Sequence, residues 1–383
     1  MNETILTWIV FLVAFSGMVI LHELGHFIAA RLVKVEVEEF GVGLPTPGAI
    51  TLFIWQGTRF TLNWLPLGGF VRPKGENDPN IEGGLAASAP WKRLVVLFAG
   101  PLMNLLTALI LFSIIIGMMG GIIVAPLDTS HQNEIMVTQV TPNGPADKAG
   151  LLVGDVILTG DGTTFADTEE ASNFIKANPD TPITFEILRD GQTMQFTITP
   201  LMNERMGRPL IGVSMCTGCE FQSIPGIAGN LEYSLRMTGQ QIYLLATLPI
   251  RLIRGTIPAE QGRLIGMKGI FDIMQQSVSS DVEAARTNAN ASSSAPFNPF
   301  NQPVDTLFLL ASLSISLGIF NLFPFPALDG GRIVFVLPEL LFRRRVPHEF
   351  ENLVHGLGMT LLLIVMIYVN VKDFIDPVTN NFP

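Results

Sequence analysis

Hydrophobic positions gather along this chain in four long blocks, at about residues 5–33, 94–124, 304–323 and 354–371. Each is close to or above the roughly 20 residues a helix needs to cross a bilayer. The stretches between them follow other periods. Val35-Glu36-Val37-Glu38-Glu39-Phe40 alternates apolar with acidic residues, and Gly41, Gly43, Pro45, Pro47 and Gly48 break any helix. Residues 49–55, 59–64 and 69–71 read as short strands, with a hairpin at Gln56-Gly57-Thr58.

Past the second block the pattern is that of a folded module over residues 134–200. Strands are predicted at 135–137, 183–189 and 193–198, with a helix near 168–177 and a hairpin at Asp190-Gly191. A returning strand is expected at 210–215. Residues 229–254 carry Leu231, Leu235, Ile242 and Leu245 at helical spacing, broken by Arg236, Gln240 and Gln241. That reads as an amphipathic helix lying on the outer membrane surface. Residues 284–303 are rich in Ala, Ser, Asn and Pro and are expected to form a mobile loop.

Composition sharpens this picture. The 383 residues are 48% hydrophobic and 15% charged, against about 25% charged in soluble domains. The chain is therefore an integral membrane protein. A net charge of -10 argues against a nucleic-acid partner. The first block lacks a basic flank at Met1-Asn2-Glu3, so no cleaved signal peptide is expected. Arg31 and Lys34 close the first block, and Arg343-Arg344-Arg345 follow the third. The positive-inside rule then places both chain ends outside and the end of the first span in the cytoplasm.

Candidate chemistry sits inside the first block. His22-Glu23-Leu24-Gly25-His26 reads H-E-x-x-H. Residues four apart share a helix face, so two imidazoles converge with a carboxylate beside them. Such groups at membrane depth are costly and point to function. A catalytic zinc site wants three protein ligands and an open position. His131, His348 and His355 are the remaining histidines, and Asp329 is the better third ligand. It ends an apolar segment on the same predicted side as the first motif. Asp329 could also be only a turn aspartate before Gly330-Gly331. Asn104, within the second block, needs a polar partner and could simply join two helices. Cys216 and Cys219 form one C-x-x-C, half of a structural zinc site; outside the cell they could form a disulfide.

H-E-x-x-H in a first span with Asn321-Leu322-Phe323-Pro324-Phe325-Pro326-Ala327-Leu328-Asp329-Gly330 in a later one resembles the site-2 protease family of intramembrane zinc metalloproteases. The module at 134–200 has the order V-x-P-x-x-P-A-x-x-A-G-L-x-x-G-D-x-I-L and resembles the PDZ domains of bacterial proteases. Together with Ala99-Gly100-Pro101-Leu102-Met103-Asn104 in the second span, the whole order resembles the bacterial regulator-of-sigma-E protease group with one PDZ domain. The resemblance implies one zinc ion held by His22, His26 and Asp329, with Glu23 as general base. It assigns Asn321, Asn104 and Gly330 to substrate binding or site support. It further implies cleavage of single-span membrane proteins, such as anti-sigma factors or remnant signal peptides, in a bacterial cell membrane. A peptide ligand in the PDZ groove is a further expected partner, beside the lipid bilayer. Leu264 to Ile270 departs from the family's pattern by lacking a proline, and the C-x-x-C lies outside that pattern.

The expected fold is membrane α-helical, with about four transmembrane helices, a cytoplasm-facing membrane-associated β-region and an extracytoplasmic α+β PDZ domain. Spans fall at 1–34, 93–125, 304–332 and 354–383. The β-region takes 35–92, the PDZ domain 126–215, an outer linker 216–303 and a cytoplasmic loop 333–353. An exposed strand edge in the β-region could hold an extended peptide, or the hairpin could be structural. Two other classes compete with a protease, a silent PDZ scaffold and a metal transporter. Glu23 beside His22 disfavours the transporter.

Overall fold

The computed structural model describes residues 3–65, 68–76, 78–124, 134–141, 144–189, 191–203, 207–224, 226–256, 262–290 and 298–377. His131 and Asp190 lie outside them. The chain divides into two compact units. One holds Met1–Ser113, Glu232–Gln275 and Thr306–Ile375; the other holds Ile114–Leu231, Gln276–Asp305 and Asp376–Pro383.

The chain begins with α1 (Glu3–Leu32), then β1 (Val37–Val42), β2 (Ile50–Trp55), β3 (Thr58–Leu62) and β4 (Gly69–Pro73), then α2 (Pro90–Met119). The strands form one sheet in the order β2-β3-β1-β4. The β2–β3 hairpin turns on Gln56 and Gly57, both with positive φ, as the sequence predicts. Phe27, Ala30, Val33, Val35, Val37, Phe40 and Val96 make a shared core. It joins the end of α1 to the sheet and to α2. β4 lies along α1, where Ser16 Oγ accepts from Gly68 N at 3.3 Å.

Next come β5 (Gly121–Val124), β6 (Ile135–Val140), α3 (Pro145–Ala149), β7 (Val156–Gly160), β8 (Thr163–Thr164) and α4 (Thr168–Ala177). Then follow β9 (Ile183–Arg189), β10 (Gln192–Ile198), β11 (Leu201–Asn203), β12 (Arg208–Leu210), β13 (Val213–Thr217) and β14 (Glu220–Ser223). Five of these pair in the order β10-β9-β7-β6-β13, with β8 on β7. Alternate residues Ile183, Phe185 and Ile187 of β9 are buried and pack with Ile135, Val137, Ile157 and Ile198, the period-two pattern of a one-sided sheet. Asp167 caps α4 by accepting from Glu169 N and Glu170 N. With α3 and α4 on this sheet the module is PDZ-like.

The remaining helices are α5 (Ile227–Ile253), α6 (Met267–Asn290), α7 (Asp305–Leu322), α8 (Asp329–Phe342) and α9 (His348–Ile375). Among the described residues four helices, α1, α2, α7 and α9, are long and apolar enough to cross a membrane. The chain is a multi-pass membrane protein.

Three expectations are corrected. The second apolar block does not stay helical to Val124; α2 stops at Met119 and β5 pairs with β14. Gly120 takes φ 71 there, and a Cβ on Gly121 would overlap Gln222. The predicted loop at 284–303 begins as helix, since α6 runs to Asn290. Glu283, Ala284, Ala285 and Arg286 are good helix formers, and Asn288 and Asn301 bond each other. The connection between spans expected at 333–353 is largely helical, since α8 and the start of α9 cover it. Asp329-Gly330-Gly331 begins a helix there instead of only ending one.

Candidate metal centre

His22 and His26 face one way from α1 and both are buried. Their Nε2 atoms lie 3.1 Å apart. Asp329 does not end the third span, as expected, but opens α8 after a six-residue turn that follows Leu322. Its Oδ2 is 3.3 Å from each Nε2. These three donors lie within 4.8 Å of one another, a group able to hold a metal ion.

The neighbours set which nitrogen faces inward. His26 Nδ1 donates to the carbonyl of Val96 at 2.7 Å, which leaves the Nε2 lone pair for a ligand. A Cβ on Gly100, one turn along α2, would overlap the His26 ring. Gly25 likewise brings α1 against the backbone of Ala99. The small residues of the Ala99-Gly100-Pro101 segment therefore permit the approach that seats His26.

His22 Nδ1 lies 3.0 Å from the amide of fully buried Asn104. For Nε2 to offer a lone pair, Nδ1 must carry the proton and donate it. An amide's two ends differ little in shape. Asn104 Oδ1 otherwise has no hydrogen-bond partner. Turning the amide places Oδ1 on Nδ1 and gives His22 the tautomer of His26. Ser314 of α7 holds the Asn104 carbonyl at 2.8 Å. That bond uses the main chain of Asn104, whereas its side chain spans from α2 to His22 of α1.

Glu23 Oε2 accepts from the Val71 N–H of β4 at 3.0 Å. Glu23, Phe70, Val71, Asn321 and Asp329 line a cavity of about 320 Å³ with both histidines. Arg332 and Glu76 pair at its wall. Gly330 does not line this cavity; it is buried at the start of α8, where a Cβ would overlap the carbonyls of Leu322 and Phe323. Cys216 and Cys219 are bonded to each other in the other unit. His355 is not in the group of ligands; it accepts from Ala327 N. The Val96 carbonyl and the Val71 N–H are backbone groups with no side-chain signal, so sequence reasoning could not find them.

Four membrane-length helices and a His-His-Asp group beside a glutamate define a membrane metallopeptidase. The chain belongs to peptidase family M50, whose profile matches residues 10–365. A Clostridium perfringens protein named "Putative zinc metalloprotease CPE1693" is 31% identical over 96% of this chain and 98% of its own length. Metalloprotease MmpA of Caulobacter vibrioides is 28% identical, with 94% and 92% covered. Among solved structures, the PDZ domain of the SdrC-like protein of Listeria monocytogenes is 21% identical, covering 23% of this chain and 93% of its own, with TM-score 0.21.

Proposed function

We propose that the chain is an intramembrane zinc endopeptidase that cuts within or near the transmembrane segment of single-span membrane proteins, such as anti-sigma factors or remnant signal peptides. One observation carries the reading: three ligand atoms within 4.8 Å share a cavity with Glu23 on a helix of membrane-spanning length. The residues fit one zinc ion. Two imidazoles and a carboxylate are a catalytic zinc set, and Asp329 Oδ2 is buried without a hydrogen-bond donor, an oxygen a cation would satisfy. Bound there, zinc would supply Lewis acidity and lower the pKa of an attacking water.

The protein's own groups do the rest. Glu23 takes the proton of the attacking water and passes it to the leaving amide nitrogen. The Val71 N–H orients its carboxylate through Oε2, leaving Oε1 for that proton. Asn104 orients His22. Asn321, across the cavity, contacts the substrate backbone. Among the described residues β4 pairs only with β1, and it lines the cavity, so its other edge is the surface on which an unwound segment lies extended.

We place the zinc site towards the cytoplasm of a bacterial cell and the PDZ-like module outside. Arg31, Lys34 and Arg343–Arg345 support this, as does the Cys216–Cys219 bond. Among the described residues β13 ends its sheet with one side unpaired, which suits a peptide ligand. Thiol labelling of single cysteines placed at Arg344 and Gln195, in cells whose native pair is replaced by serine, tests the orientation; labelling of Arg344→Cys from outside refutes it.

The deciding experiment is cleavage of a membrane-anchored peptide by the purified chain in bilayers. Cleavage should stop with a zinc chelator and with Glu23→Gln. Cutting near the wild-type rate in either case refutes the assignment. Zinc transport without cutting would favour a transporter.

A further inference from the structure

We propose that His355 is a positioning residue for the metal centre, acting on Asp329 through the backbone of Ala327. The turn between α7 and α8 carries Asp329 at its end. Within it Ala327 takes φ 77, a left-handed conformation uncommon for a residue with a Cβ. Such backbone persists only where its surroundings hold it. Here the hold comes from α9: the Ala327 N–H donates to His355 Nδ1 at 2.8 Å.

The contact is built from more than one residue. Gly358 lies three positions further along α9, on the same face. A Cβ there would overlap Pro326, so glycine lets α9 touch the residue next to Ala327. Phe335 of α8 packs on the His355 ring with centroids 5.5 Å apart. The ring is therefore fixed between α8 and α9 with Nδ1 facing the turn. As an acceptor at Nδ1, the imidazole is neutral with its proton on Nε2.

The consequence reaches the site through two residues of chain. Asp329 must keep one oxygen 3.3 Å from both Nε2 atoms. Without an acceptor at position 355, the Ala327 N–H is left unpaired and the turn relaxes towards ordinary backbone. The third ligand then moves while His22 and His26 stay in place. α9, which contributes no ligand, thereby sets the geometry of the site.

This inference rests on the zinc reading above. The test uses the full chain in lipid nanodiscs, with zinc affinity measured by chelator competition and unfolding followed in parallel. His355→Asn puts an amide oxygen near the Nδ1 position and should keep zinc affinity close to wild type. His355→Leu keeps the bulk but offers no acceptor, and should weaken zinc binding about tenfold or more, as lost support behind a ligand does, with an unchanged unfolding midpoint. Adding Ala327→Gly to the leucine variant should recover part of the loss, because glycine adopts positive φ freely. If the leucine variant does not fold, His355→Gln, whose amide oxygen falls nearer Nε2, replaces it with the same expectation. Wild-type zinc affinity without the acceptor, or equal weakening by asparagine and by the acceptor-free variant, overturns the proposal. A wild-type chain that binds no zinc overturns the metal reading instead.

Discussion

The imidazole of His26 is held against α2 at two points, its Nδ1 on the Val96 carbonyl at 2.7 Å and its ring over Gly100. The two are one turn apart, so a single face of α2 orients the ligand. Gly100→Ala places a methyl group where the ring lies. Zinc affinity should fall about tenfold or more, measured by chelator competition, with the α1–α2 packing loosened. Unchanged affinity would show that the ring has room to move.

Glu23→Gln keeps the shape beside His22 and can still accept from Val71 N–H through its amide oxygen, but it cannot take a proton. Zinc content should stay at the wild-type level while cleavage drops by a factor on the order of 10² to 10⁴ or more. Metal analysis beside a cleavage assay separates the two effects.

Asn104 separates packing from ligand support. Asn104→Leu removes the acceptor behind His22 and should weaken zinc binding about 10- to 100-fold. Asn104→Asp supplies a stronger acceptor and should retain it. If Asn104 only packed, the order would reverse, because a buried carboxylate without a partner is costly.

Val71→Pro removes the N–H that orients Glu23 and lies on the cavity edge of β4. Cleavage should slow with zinc content intact. Equal rates for this variant and the wild type would remove β4 from the mechanism.

Asp155 is 1% exposed and receives two bonds from Arg189 at 2.6 Å. Arg189→Met leaves that carboxylate buried without its cation. The loss should be roughly 3 kcal/mol, the scale for breaking a buried pair. Denaturant unfolding reported from the PDZ-like module would read it.

Much of the site was legible from local pattern. His22, Glu23 and His26 announce themselves because four residues make about one helical turn. The four spans show in hydropathy because lipid admits long apolar helices. In the PDZ-like module, strand β9 and helix α4 fall where the sequence pattern places them, at 183–189 and near 168–177. The helices α6 and α8 were missed because Asn, Ser and paired Gly weigh against helix locally, while bonds such as Asn288–Asn301 act across sequence.

By itself, the sequence determined that His22 and His26 share a helix face with Glu23 beside them, and that the chain enters a membrane, since periodicity and apolar length are properties of short segments. Tertiary structure alone decided which nitrogen of each histidine faces the metal position, through Val96 and Asn104. It alone decided that Asp329 opens a helix, that Val71 orients Glu23, and that α9 grips Ala327. Those relations are made by backbone groups and by contacts between distant segments, and neither leaves a period in the chain.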